Sequence, residues 1–102
     1  MEVIKLIIVL AEITFKKNIT DEVIEESQAL IKDSLAEKGC IDYQLYNPVG
    51  NDNSLLFLEK WEEKSYLELH LKQPHFINFH RSFGNLFEKT EISVYSSEKI
   101  EL

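Results

Sequence analysis

Only three glycines, two prolines and one cysteine occur among the 102 residues. So few chain-breaking residues leave no material for a disordered tract, and the length suits a single domain with one core. Three scattered glycines make neither a phosphate-cradling loop nor a dinucleotide fingerprint, which excludes nicotinamide and flavin binding by the usual fold. The lone Cys40 cannot close an internal disulfide, so a reducing compartment, the cytoplasm, is the expected location. No base stands near it in sequence, and nothing supports it as a nucleophile.

Positive charge is also scarce: eleven Lys and Arg against eighteen Asp and Glu give a net charge of −7. Such a chain repels a phosphate backbone and an anionic bilayer alike, which argues against nucleic-acid and membrane partners. The longest apolar run, Leu6 to Ala11, is far too short to span a membrane. As a signal-peptide core it also fails, since only Lys5 precedes it, no small-residue cleavage site follows and Glu12 interrupts it. A soluble protein with a strand at this position is expected.

What is present is regular patterning. From Val3 to Phe15 both alternating sets are apolar, Ile4, Leu6, Ile8 and Leu10 on one and Ile7, Val9, Ala11 and Ile13 on the other, which predicts a strand buried on two faces. Thr20 is placed as an N-cap, with Asp21 and Glu22 in the first turn and Ile19 set to staple onto Ile24. The helix it opens should run to about Lys38, ahead of the stop residue Gly39. Cys40–Asn47 and Leu55–Trp61 then form a hairpin across a polar turn. Ser65 has capping-box spacing to Glu68 and begins a short helix through Leu71, which Pro74 separates from a second helix carrying Phe76, His80, Phe83 and Phe87 on one stripe. Ile92–Tyr95 is a last short strand, and Ile100 and Leu102 in the tail are candidates to dock on an apolar surface. This order predicts an α+β fold, a ferredoxin-like split βαβ with helices on one face of a four-stranded antiparallel sheet.

Helices on one face leave the other uncovered, although Leu56 and Leu58 oppose Leu55 and Phe57 in the third strand. The same face of a second copy is the simplest cover, because burial is worth roughly 25 cal/mol per Å² and an isologous pair supplies matched surfaces. A homodimer is therefore expected.

Three histidines, His70, His75 and His80, lie close together in sequence. A helical ligand pair wants a separation of three or four residues, whereas these are five apart with Pro74 breaking the helix, so no metal site is expected. Glu59 and Trp61 share one side of their strand, and the short helix can return His70 towards them. A Glu-His contact there is either a polar pair at the rim of the core or a carboxylate that orients an imidazole for proton transfer. Aromatic residues concentrate where sheet and helices meet: Tyr43, Tyr46, Phe57, Trp61, Tyr66, Phe76, Phe79 and Phe83. Most are core, yet a pocket of such rings with a histidine or tyrosine at its mouth suits a flat aromatic ligand.

Leu58-Glu-Lys-Trp-Glu62, Leu67-Glu-Leu-His-Leu71 and Gln73-Pro-His-Phe76 together resemble the antibiotic biosynthesis monooxygenase family, most closely its quinol monooxygenase branch. Gly39-Cys40 and Leu10-Ala-Glu-Ile13 fit the same resemblance, which covers nearly the whole chain. It implies a dimeric α+β barrel that oxidises quinols or phenols with O2 and needs no metal, flavin or haem. Carried onto this sequence, it marks His70, Trp61 and His75, with Glu59 as orienting partner. His70, Trp61 and Glu59 are then the catalytic candidates, and His75, Tyr43, Phe76, His80 and Phe83 the substrate-binding ones. Haem-degrading enzymes of the same fold are an alternative, since His80 falls where their axial histidine would lie, but this chain lacks their first-strand asparagine. A relative acting on a phosphorylated sugar would want more cations than Lys72 and Arg81. A dimeric module that binds a small ligand without transforming it is the non-enzymatic alternative.

Overall fold

The structure is a computed structural model that describes residues 4–102. Val3, assigned to the first strand from sequence, lies outside the described residues. The apolar run forms β1 (Ile4–Phe15), followed by α1 (Asp21–Leu35), β2 (Cys40–Tyr46), β3 (Ser54–Trp61), α2 (Lys64–His70), α3 (Pro74–Phe83) and β4 (Phe87–Lys99). The strands pair antiparallel in the order β2-β3-β1-β4, which is the expected ferredoxin-like sheet.

The two apolar sets of β1 separate cleanly. Val9, Ile13 and Phe15 are buried towards the helices with Leu55, Phe57 and Trp61 of β3, while Leu6, Ile8, Leu10, Leu56 and Leu58 on the opposite face are only partly buried. Among the described residues no helix is long and apolar enough to cross a membrane.

Local chemistry sets the helix ends. Val23 N–H donates to Thr20 Oγ1 at 3.3 Å, as an N-cap should, and α1 buries Val23, Ser27, Leu30 and Ser34. Ile19 and Ile24 both pack against the core. The helix stops at Leu35 rather than Lys38, because Ala36 N–H turns back to the Ser34 carbonyl and the chain then tightens towards Gly39. Gly39 has φ +84°, and a Cβ there would stand 2.1 Å from the Tyr66 ring, so both backbone and space require glycine.

Four other expectations change. Glu63, not Ser65, occupies the N-cap of α2, and the Ser65 hydroxyl donates back to Glu63 at 3.4 Å. α2 ends at His70, one residue early, as Leu71 N–H caps it on Leu67 and Leu69 carbonyls. Phe87 leaves the helical stripe, because a 3₁₀ turn at Gly84–Leu86 intervenes, and it opens β4 with its ring edge-on to Phe15. β4 extends thirteen residues, with Ile92–Tyr95 only its middle, since backbone pairing with β1 holds its polar ends. Ile100 and Leu102 are exposed in the single chain.

Candidate active site

Between the helix-covered face of the sheet and helices α2 and α3 lies a cavity of about 100 Å³. β1 contributes Val9, Ala11 and Ile13 to its wall, and α3 contributes Phe76, Phe79 and His80. Tyr43 and Glu59 stand on the β2–β3 flank, and Ile92 and Val94 of β4, 58% and 50% exposed, mark the open flank opposite. The cavity is nearly all hydrocarbon and ring, with Glu59 its one carboxylate.

That carboxylate is held by strand alternation. Glu59 and Trp61 share the inner face of β3, and Trp61 Nε1–H donates to Glu59 Oε1 at 3.1 Å. Glu59 is 5% exposed and Trp61 and His70 are fully buried. Burial pushes the Glu59 carboxyl up to about 7, with the Trp61 hydrogen bond pulling the other way and the negative Glu37 adding to the rise. The phenol of Tyr43 is also raised, first by burial and then by Glu59.

His70, the last residue of α2, sits behind the cavity wall rather than in it. Its ring packs 4.9 Å from Trp61 and 5.1 Å from Phe76, centroid to centroid. Nδ1–H donates to Glu37 Oε2 at 2.6 Å, and the Tyr43 hydroxyl donates to Nε2 at 3.4 Å, a pattern that fixes the neutral tautomer. Burial lowers the imidazole below its ordinary value, and Glu37 opposes that shift. Glu59 is 3.9 Å from Nε2, beyond hydrogen-bond reach. The partner that orients His70 is thus Glu37, and Glu59 faces the cavity instead.

His75 and Phe83, both assigned to substrate from sequence, are not in the cavity wall. Their helix turns them towards α1, where they line a separate open groove, and Phe83 is core against Phe79. His75 Nε2–H donates to Glu37 at 2.7 Å, so one carboxylate oxygen bridges two imidazoles. The five-residue spacing that argued against a histidine pair applies to a continuous helix. Here the break before Pro74 folds the second helix back, and Glu37, His70 and His75 place donor atoms within 4.8 Å of one another. Tyr43, Phe76 and His80 do line the cavity, with His80 Nδ1–H donating to the Phe76 carbonyl at 3.1 Å. Tyr46 is exposed, and burial drives the Cys40 thiol up to about 12, away from nucleophile chemistry.

Glu37 escaped sequence reasoning because it falls where the helix was expected to continue. The turn after Leu35 holds it, with Glu37 N–H donating to Ser34 and Cys40 N–H donating to the Glu37 carbonyl. One signal was present: an acid in the last turn of a helix opposes the dipole and so invites another explanation.

A split βαβ sheet with an apolar cavity on its helix-covered face defines an α+β module of the ferredoxin-like class. The family model for antibiotic biosynthesis monooxygenase matches residues 6–82, and the chain belongs to that family. An uncharacterized Synechocystis protein, sll1783, is 37% identical over 90 residues, 87% of this chain and 61% of the relative, so the chain spans under two thirds of that protein. The Bacillus subtilis protein named "Putative monooxygenase YcnE" is 34% identical over 74 residues, covering 72% of this chain and 78% of the relative. The crystal structure of a conserved Methanosarcina mazei protein superposes with a TM-score of 0.83 at 31% identity, over 90% of this chain and 92% of that one.

Proposed function

We propose that the cavity binds the ring of a phenol or quinol and that the protein is a cofactor-independent monooxygenase. The observation that carries this reading is Glu59: one buried carboxyl in an apolar cavity, raised to about 7, and therefore poised to exchange a proton near neutrality. Glu59 takes the hydroxyl proton, the Trp61 N–H steers the carboxylate, and the aromatic wall holds the ring while excluding water. His70, tied to Glu37, keeps the Tyr43 hydroxyl in place.

The phenolate passes electrons to O2, and a ring carbon bonds to one oxygen atom. The O–O bond then breaks as the proton held by Glu59 and the ring C–H proton go to the departing oxygen, which leaves as water. Phenol and O2 thus become quinone and water: the substrate loses four electrons and dioxygen gains four, with no outside reductant. A cavity of about 100 Å³ suits one ring and not a tetrapyrrole, which disfavours haem as the substrate. The active form in this proposal is a homodimer closed through the face carrying Leu6, Ile8, Leu10, Leu56 and Leu58.

Oxygen uptake tests the reading, measured with a panel of hydroquinones and polyphenols in chelator-treated buffer against autoxidation alone. Uptake that saturates with substrate and is lost in Glu59→Gln is the expected result. Uptake no faster than autoxidation would overturn the proposal in favour of a binding role.

A further inference from the structure

Glu37, His70 and His75 come from the turn after α1, the end of α2 and the start of α3, and the mechanism above uses the cluster only to fix His70. We propose that these three side chains form a binding site for a single divalent cation of the zinc class, with its remaining position open to water from the groove between α1 and α3.

Two imidazole nitrogens and one carboxylate oxygen are a donor set for borderline transition metals; calcium and magnesium want oxygen ligands throughout. The three donor atoms already lie within 4.8 Å, with His70 Nδ1 and His75 Nε2 at 2.6 and 2.7 Å from Glu37 Oε2. A tetrahedral ion with bonds of about 2.0–2.1 Å holds neighbouring ligand atoms roughly 3.3 Å apart. Each contact therefore opens by only several tenths of an ångström. His70 cannot swing away, because Trp61 and Phe76 pack against its ring, whereas His75 keeps 19% of its side chain exposed and can adjust.

Beyond the ligands the surroundings also suit a cation. With Nδ1 on the ion, the His70 proton moves to Nε2, which faces the Tyr43 hydroxyl at 3.4 Å and the Glu59 carboxylate at 3.9 Å. A ligating histidine commonly gives its other N–H to such a carboxylate or oxygen. On the outer side His75 lines a groove of about 600 Å³ that also carries Glu22, Glu26 and Asp33, acids that draw cations towards the opening. Glu37 and His75 are not in the wall of the substrate cavity, so the ion would sit behind the His70 ring and out of contact with the substrate. One consequence rests on the monooxygenase reading: by reversing the Tyr43–His70 hydrogen bond, the ion would slow turnover.

Titration of the metal-free full chain with Co²⁺, followed by visible absorption and native mass spectrometry, tests the site without any need for turnover. The expected result is a saturable one-to-one complex with the strong visible bands of a four- or five-coordinate ion, displaced by Zn²⁺. His75→Ala and Glu37→Gln should each weaken it at least roughly tenfold, while the double variant Glu26→Gln/Asp33→Asn keeps it. Circular dichroism checks that His75→Ala, a change at a partly exposed side chain, stays folded. No saturable complex would overturn the proposal, and so would binding that survives His75→Ala or is lost only with the groove acids. Zn²⁺ inhibition of oxygen uptake is the separate test of the consequence. A chain that binds Co²⁺ but consumes no oxygen keeps this site and loses the monooxygenase reading.

Discussion

Replacing Glu59 by glutamine is expected to make the protein more stable in alkaline solution while removing the proposed oxygen uptake. Glu59 is 5% exposed and its carboxyl is raised from an ordinary 4.5 to about 7, first of all by burial. An acid raised by folding binds its proton more tightly in the folded chain than in the unfolded one. Between pH 4.5 and 7 the folded state therefore holds a proton that the unfolded state has released, and stability falls as pH rises through that window. The contribution is fully present below 4.5 and gone above 7, and the shift is worth about 3 kcal/mol. Glutamine keeps the shape and a neutral head group without this penalty. Urea unfolding at pH 5 and pH 8 should show the variant close to wild type at the lower pH and more stable by about 2–3 kcal/mol at the higher. His70, lowered by burial, tilts the wild-type curve the other way, with stability lost as pH falls below its unfolded value, so the difference between the two proteins is the quantity to read. Parallel pH profiles for wild type and variant would refute the reasoning, because they would mean that Glu59 titrates as an ordinary surface carboxyl.

Gly39→Ala should destabilise the chain by about 2 kcal/mol or more, since φ +84° is strained for alanine and its Cβ would overlap the Tyr66 ring; the urea midpoint reads it. Val94→Trp, at a half-exposed position on the cavity's open flank, should leave stability unchanged and weaken binding of a single-ring phenol by roughly tenfold, about 1.4 kcal/mol, in a fluorescence titration. Leu58→Glu places a charge on the sheet face through which the proposed homodimer closes, and light scattering should show a dimer mass for wild type and a monomer mass for the variant, with circular dichroism preserved.

Periodicity carried the fold because each element announces itself over several residues. The doubly apolar β1, the Thr20 cap, the polar turn before β3 and Pro74 together leave little freedom for the topology. β4 was legible only at Ile92–Tyr95, because an edge strand paired on one side needs no apolar alternation at its ends. The site was less legible, since it depends on which side of a helix each residue finally faces. Glu59 and Trp61 followed from strand alternation, and Tyr43, Phe76 and His80 line the cavity. His75 and Phe83 turned to the α1 side because α3 starts afresh after the break, a rotation no spacing rule supplies. Glu37 lies 33 residues from His70 in sequence, and only the folded turn after α1 brings the two together.

The central claim is that one atom of O2 enters an aromatic substrate held against Glu59. Turnover under ¹⁸O₂ with mass analysis of the product tests it most directly. The expected result is one labelled oxygen in the quinone and the other in water, with labelling lost in Glu59→Gln. Quinone without label, accompanied by hydrogen peroxide, would contradict it, for the protein would then be removing electrons without inserting oxygen.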